Sequence, residues 1–592
     1  MTTVDETPAI PTSVALRRTL REAPALRRGL GLTVLLAALG IAGQLVVPVV
    51  VQQLVDREIL ATGDVDVAGA LRLGAAALAA LAAAVAASRA AMLRLVSATA
   101  EGLAELRVKL FRHLHDLSIL HVQSERRGAL VARVTSDINT IQEFMEWGGV
   151  GILLGSAQVL LAVVAMAVYR WPLALLVVAG VVVYAGLMVW FQRILARAHD
   201  QVRQRVGDSL AVLGEAISGL PVVRAYGAEA ATMERVRATL AAQVGAEYRT
   251  GKLGAFLFSS AELFAATITV AVVAAGVVFG AARGVSAGTL LAFLFLVNLL
   301  IDPIQMLVET LDNAQAAAAG VRRVLRVLDT RIDLPDPDQG VDLPAGGLDV
   351  AFRGVGFSYP TGPEVLSDIS LQIPAGRRLA VVGETGSGKT TFAKLLCRLL
   401  DPSEGRIEVG GVPLDQVRFA SLRQRVAFVP QEGFLFGGTL ADNVRYGRPE
   451  ASEREIEAAF LELGLDEWLE RLPSGLQAPV GERGGQLSAG ERQLVALVRA
   501  WMAVPDLLVL DEATSAVDPA LEVQLRRAIE RLTRGRTSVT IAHRLSTAEA
   551  ADEVLVFDRG RLVERGHHRD LVAADGVYAH LHADWTTGSA VA

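Results

Sequence analysis

The stretch Gly383-Glu384-Thr385-Gly386-Ser387-Gly388-Lys389-Thr390 decides how the other residues of this 592-residue chain are read. It satisfies the phosphate-binding pattern G-x-x-x-x-G-K-[ST] at every fixed position. The apolar run Leu379–Val382 before it predicts a buried strand, and Thr391–Leu396 after it predicts a helix. Glycines let the backbone wrap closely around a phosphate, so that successive N–H groups and the helix N-terminus point at the anion. Lys389 is placed to reach the β- and γ-phosphates of a nucleoside triphosphate, and the Thr390 hydroxyl to hold Mg²⁺.

Composition shows that this loop belongs to only part of the molecule. Hydrophobic residues make up 52% of the chain, and the mean hydropathy of +0.40 is well above a soluble average. Part of the chain is therefore expected in lipid. A formal net charge of -6 argues against nucleic acid, which normally requires a basic surface. The single cysteine, Cys397, excludes an internal disulfide and reads as a small apolar filler on the helix after the loop. The first long apolar run begins near Gly29, behind Arg17, Arg18, Arg21, Arg27 and Arg28, which reads as an uncleaved first span.

The first half offers six runs that approach the ~20 apolar residues a helix needs to cross a bilayer. They are Leu30–Val55, interrupted by Gln44 and Pro48; Leu71–Val96; Gly149–Tyr169; Leu173–Trp190; Leu253–Phe279; and Ala287–Met306. Arg170, Trp171 and Pro172 separate the third from the fourth, which predicts a tight hairpin. Long charged helical stretches, Glu101–Glu146 and Arg193–Lys252, follow spans two and four. They carry many arginines, among them Arg107, Arg112, Arg133, Arg197 and Arg203, whereas the loop after span one holds Asp56, Glu58, Asp64 and Asp66. The positive-inside rule puts both stretches and the N-terminus in the cytoplasm, as arms able to touch a cytoplasmic domain. Glu262 and Asp302 lie inside spans and are suspected of facing a central cavity.

Span six continues as an amphipathic helix over Leu307–Leu328, and Asp329–Asp338, with two prolines among aspartates, ends it. Four regions are expected: an N-terminal cytoplasmic segment over 1–28, a six-helix membrane domain over 29–328, a linker over 329–347, and an α/β nucleotide-binding domain over 348–592. In the last, the apolar run Leu507–Asp511 ends in an acid placed to hold Mg²⁺, and Glu512 follows, where a carboxylate can position the attacking water. The run Ser538–Ile541 leads to His543, placed to contact the γ-phosphate.

Together these residues resemble the ATP-binding cassette, or ABC, transporters. Leu487-Ser488-Ala489-Gly490-Glu491 resembles that family's signature, usually L-S-G-G-Q; Gln431 resembles its Q-loop glutamine; and Tyr359 resembles the aromatic that stacks on adenine. Ser515–Asp518 resembles the D-loop, Gly481–Gly485 the exporter-type X-loop, and Gly128–Asp137 and Glu215–Tyr226 resemble segments of the exporters' two cytoplasmic arms. The resemblance implies a helical transmembrane domain followed by an α/β phosphate-loop domain, a half-transporter that dimerises. Its implied ATP contacts are Tyr359, Gly383, Glu384, Thr385, Gly386, Ser387, Gly388, Lys389, Thr390 and Thr391, with Ser488 and Gly490 presented to a partner's ATP. Glu512, His543 and Gln431 are its implied catalytic residues, and Thr390, Gln431 and Asp511 its Mg²⁺ ligands.

The signature departs from the usual sequence by Ala489 and Glu491, the latter adding negative charge near an anion. Both a homodimer and a heterodimer with a second half-transporter are compatible with it. The expected activity is ATP-driven export of a hydrophobic or amphipathic small molecule, lipid or peptide. The expected setting is a bacterial inner membrane, with lipid around the spans and the ATP-binding domain in the cytoplasm. The alternatives are an importer with an exporter-like fold and a non-transporting membrane ATPase acting as a sensor.

Overall fold

The computed structural model describes residues 18, 21–59, 66–124, 127–283, 285–360, 362–511, 519–542 and 544–590. The chain divides into two compact units, one of residues 1–115 and 125–330 and the other of residues 116–124 and 331–592.

Among the described residues of the first unit, five helices are long and apolar enough to cross a membrane: Leu30–Arg57, Val67–Asp116, Leu154–Ser218, Glu229–Val278 and Ala287–Leu307. The third makes two passes, because Arg170 leaves helical geometry (φ -158°, ψ 101°) just before Pro172. Proline is tolerated there because the first turn of the following helix needs no N–H from it. Pairwise contacts give the directions. The Cβ position of Gly151 lies against Met306 and that of Gly155 against Pro303, while Gln158 Nε2 donates to Leu299 O at 3.0 Å, so spans three and six run antiparallel. Phe191 meets Phe256, and Tyr184 stacks on Phe264 at 4.2 Å, so spans four and five are antiparallel. Gly276 lies against Leu290 across the turn joining five and six. It follows that three and four are antiparallel to each other, as a hairpin requires.

Span one breaks after Gly43 and resumes at Val46, beside the predicted interruptions Gln44 and Pro48. Gly40 faces Ser88 and Gly43 faces Ala84 with no room for a side chain, so spans one and two also run antiparallel in close contact. At the far end of span one, Asp56 caps span six: Gly288 N–H donates to its Oδ1 at 2.9 Å and the Ser286 hydroxyl to its Oδ2 at 2.5 Å. Ser286 in turn accepts from Thr289 N–H at 3.0 Å. A carboxylate at a helix N-terminus satisfies free N–H groups and complements the dipole.

Spans two and four continue well past the apolar segment. The helix Val67–Asp116 has 50 residues, or about 75 Å at 1.5 Å per residue, against a hydrocarbon core of about 30 Å. Its distal part packs Leu103, Leu106 and Leu110 against Ile138, Ile141, Val321 and Val324. Arg323 grips the buried Asp137 carboxylate with two hydrogen bonds, of 2.9 and 2.6 Å, locking the return of the first arm to the continuation of span six. The second arm turns through a short helix, Leu220–Ala225, whose Leu220 and Val222 are exposed together with Tyr226.

The second unit is built on ten strands: β1 Val350–Ser358, β2 Glu364–Ile373, β3 Arg378–Val382, β4 Glu404–Val409, β5 Val412–Pro413, β6 Val426–Val429, β7 Leu507–Asp511, β8 Thr537–Ile541, β9 Glu553–Asp558 and β10 Arg561–Gly566. They form an antiparallel sheet in the order β2-β1-β4-β5 and a larger sheet in the order β10-β9-β3-β8-β7-β6. In the larger sheet β9, β3, β8, β7 and β6 are mutually parallel. Parallel strands are covered on both faces, and the period of two sorts their side chains. Leu507 and Val509 of β7 enter one core while Leu508 and Leu510 enter another. Leu379 and Val381 of β3 join the first core, whereas Ala380 and Val382 join a third.

Phe392, on the helix after the phosphate loop, stacks on Phe352 of β1 at 4.6 Å and meets Phe557 of β9 at 5.1 Å, tying the two sheets together. Cys397 is buried in that core, which pushes its thiol up to about 12 and makes it the inert filler expected. Ile119 and Leu120, on the short helix Ile119–Ser124 at the tip of the first arm, pack against the same core.

Candidate functional site

The phosphate loop connects β3 to the helix Lys389–Leu396. Gly388 caps that helix with φ +100°, and Gly386 has φ +88°, conformations that favour glycine. A Cβ on Gly383 would stand 2.1 Å from Phe557 O, so backbone passes over backbone there. The resulting turn presents the N–H groups of the first helical turn. The Ser387 hydroxyl, buried at 4% exposure, has no hydrogen-bond partner among the described residues. A buried orphan hydroxyl inside an N–H-lined turn fits an anion in that cradle.

Lys389 is 5% exposed. Its Nζ donates to Gly383 O and Glu384 O, each at 2.7 Å, so the ammonium is held over the mouth of the loop. Thr390 donates to Asp511 Oδ1 at 3.4 Å. That contact exists because β7 ends beside the start of the loop helix, two strands away from β3 with β8 between them. Hydroxyl and carboxylate side by side are the oxygen pair that a hard divalent cation takes. Tyr359, half-buried and edge-on to Phe357, shares a 3.1 Å hydrogen bond with Thr391 Oγ1. This fixes the ring beside the loop, an arrangement that spacing alone did not reveal. Gln431 is exposed just after β6. Glu512, His543 and the segment 515–518 lie outside the described residues.

The signature residues start the helix Ala489–Met502, which packs into the core on the opposite face of β7 from the loop. Ser488 is its N-cap, in a reciprocal box: Glu491 N–H donates to Ser488 Oγ at 3.3 Å, and Ser488 N–H donates to Glu491 Oε2 at 2.8 Å. Trp468 Nε1–H donates to the other carboxylate oxygen at 3.2 Å. Burial pushes the Glu491 carboxyl up, but the hydrogen bonds from Ser488 and Trp468 outweigh it and hold it below the usual range. The departure Glu491 is thus a satisfied helix cap. Ser488 and Ala489 remain exposed at the helix start. Trp468, 23 positions upstream, gave no sequence signal.

A prediction follows from the cap. Glu491→Gln, which keeps a capping acceptor, should change stability by less than about 0.5 kcal/mol at neutral pH, whereas Glu491→Ala should cost about 1 kcal/mol. The carboxyl is held below its ordinary range, so its contribution is complete above the unfolded pKa and disappears as pH falls through the folded value. Denaturant titrations at pH 7 and at pH values below the ordinary glutamate pKa of about 4.3 check both points. Equal losses for the two variants would show that the cap is not what Glu491 provides.

Residues 30–304 match the model of the ABC transporter transmembrane region, and residues 366–515 match the ABC transporter model. The chain is 34% identical over 482 residues to the uncharacterized ABC transporter ATP-binding protein YfiC of Bacillus subtilis, covering 81% of this chain and 79% of that protein. The chain belongs to the ABC transporter family. This transporter is also 36% identical over 505 residues to a fatty acid ABC transporter ATP-binding/permease protein of Mycobacterium bovis, covering 83% of this chain and 78% of that one. It is 35% identical over 486 residues to an ATP-dependent lipid A-core flippase of Pseudomonas putida, covering 81% and 79%. A solved bacterial Atm1-family ABC exporter with ATP bound superposes with a TM-score of 0.77 at 28% identity, over 94% of this chain and 98% of that one. The transporter is therefore a membrane protein of the exporter-type half-transporter class, with a membrane region fused to one cassette. It binds ATP and couples ATP hydrolysis to export, and as a half-transporter it acts as a dimer.

Proposed function

We propose that this chain is a self-sufficient homodimeric exporter of the bacterial inner membrane, with two equivalent ATP sites and its cassette in the cytoplasm. The observation that carries this reading is the satisfied cap at Glu491: with its charge held by Ser488 and Trp468, the altered signature can serve a partner's ATP. The catalytic complement Lys389, Asp511, Glu512 and His543 lies in the same chain. A heterodimer is therefore not needed to supply a missing half. The exposed Leu220, Val222 and Tyr226 at the second arm's tip are further surface suited to a second copy.

In this reading Lys389 and the loop N–H groups bind the β- and γ-phosphates, and Tyr359 supports the adenine. Thr390, Asp511 and Gln431 would hold Mg²⁺, and the ion would supply positive charge against the phosphates. Glu512 orients the attacking water and His543 contacts the γ-phosphate. Closure of two cassettes around nucleotide biases the arms and, through them, the spans. The cargo is a hydrophobic or amphipathic small molecule, lipid or peptide.

Mass measurement and Mg-ATPase assay of the chain purified alone in lipid discs test the homodimer. The expected result is a dimer with robust turnover that falls when excess Glu512→Gln chain is co-assembled. A stable dimer of this chain alone with negligible turnover would assign the working site to a different partner.

A further inference from the structure

Spans one, two, three and six line an open cavity of about 860 Å³, within the size range of ligand sites. Asp302 lines it; Glu262, the other suspected carboxylate, is exposed and does not. Leu154, Phe295 and Met306 contribute apolar surface, and Glu146 adds a second carboxylate. Among the described residues, no lysine, arginine or histidine is in the lining.

Three of the neutral polar groups, Thr33, Gln158 and Asn298, each donate to a backbone carbonyl, while Gln44 and Ser88 also line the cavity. Pro303 has no N–H, which deprives Leu299 O of its helical donor, and Gln158 Nε2 supplies one at 3.0 Å. Asn298 Nδ2 donates to Leu294 O at 2.9 Å, and the Thr33 hydroxyl donates to Gly29 O at 3.2 Å. Of an amide's two ends only the NH₂ can donate to a carbonyl, so these bonds fix the Gln158 and Asn298 orientations and leave each oxygen as an acceptor beside one remaining N–H. Glu146 accepts from Gln142 Nε2 at 2.8 Å, and Asp302 has no hydrogen-bond or ion-pair partner among the described residues. Among the described residues the cavity thus pairs neutral polar groups and two carboxylates with apolar walls, and its charged side chains are all acidic.

We propose that the cavity selects cationic amphiphiles, such as an alkylammonium, with Asp302 as counter-ion and Glu146 as a second anionic group, and that it rejects fatty carboxylates and phosphate-bearing lipids. This rests on the exporter reading, and it separates this chain from relatives named for a fatty acid and for lipid A-core. An unpaired intramembrane carboxylate is costly, and a cargo ammonium offsets that cost. A fatty carboxylate would instead add a third negative charge with no cation to meet it.

Equilibrium binding of dodecylammonium and dodecanoate to the dimer in phosphatidylcholine discs tests this, with empty discs subtracted. Dodecylammonium is expected to bind at least about tenfold more tightly, equivalent to about 1.4 kcal/mol. Asp302→Asn should remove most of that preference, Glu262→Gln should leave it intact, and Asn298→Lys should reverse it. Equal or better binding of dodecanoate by the wild type, binding of neither, or an unchanged preference in Asp302→Asn overturns the proposal. If Asp302→Asn does not fold, the wild-type pair and Asn298→Lys decide. ATP-driven movement of dodecanoate alone would sink the charge selectivity while leaving the exporter standing. Selective dodecylammonium binding with no ATP-driven movement would do the reverse.

Discussion

Lys389→Ala is expected to lower Mg-ATPase turnover by at least about a hundredfold and to weaken nucleotide binding. The ammonium is nearly buried and held by Gly383 O and Glu384 O over the turn that carries the orphan Ser387 hydroxyl. Its removal takes away the positive charge meeting the β- and γ-phosphates and leaves two carbonyls without a donor. Charged hydrogen bonds contribute about 1.5–3 kcal/mol each, and about 3 kcal/mol lost from the transition state corresponds to the hundredfold predicted. The two lost carbonyl contacts should also destabilise the cassette modestly, so nucleotide affinity must be read below the variant's own unfolding temperature. Lys389→Arg is not a rescue, because the longer planar group does not fit the same pair of carbonyls. Turnover within a fewfold of wild type in Lys389→Ala would place phosphate binding elsewhere.

Glu512→Gln is expected to separate binding from chemistry: ATP still binds, while hydrolysis falls by about 10²–10⁴-fold, the usual contribution of a positioned acid or base. The residue follows β7 directly, and β7 delivers Asp511 to the side of Thr390. Glutamine keeps the size and one acceptor but loses the charge that polarises water. The dimer should therefore persist in its ATP-bound form, seen as nucleotide retained through gel filtration. Loss of binding together with hydrolysis would give Glu512 a structural role instead.

Much of the site could be read from sequence because its parts are local. Leu507–Asp511 is a continuous apolar run ending in an acid, and it forms a strand over those same residues because both of its faces are covered by separate cores. The phosphate loop is fixed by its own glycines, all three of them at φ values that favour glycine. The hairpin between spans three and four follows from Trp171-Pro172, which cannot continue the preceding helix in register. Three features could not be read this way. The cap on Glu491 depends on Trp468, brought in by the helical core around β7. The division of labour between Asp302 and Glu262 depends on which side of a helix neighbouring spans cover, and apolar spans carry little periodic signal of their own. The packing of Ile119 and Leu120 on the cassette core was likewise hidden inside a basic arm.

The most direct test of the account is ATP-driven movement of dodecylammonium in vesicles containing this chain as its only protein. With ATP and Mg²⁺ supplied on the cassette side, the account predicts depletion of the amphiphile from that side and its accumulation opposite, abolished in Lys389→Ala and Glu512→Gln. Hydrolysis that proceeds at full rate while the amphiphile distribution stays at equilibrium would contradict it.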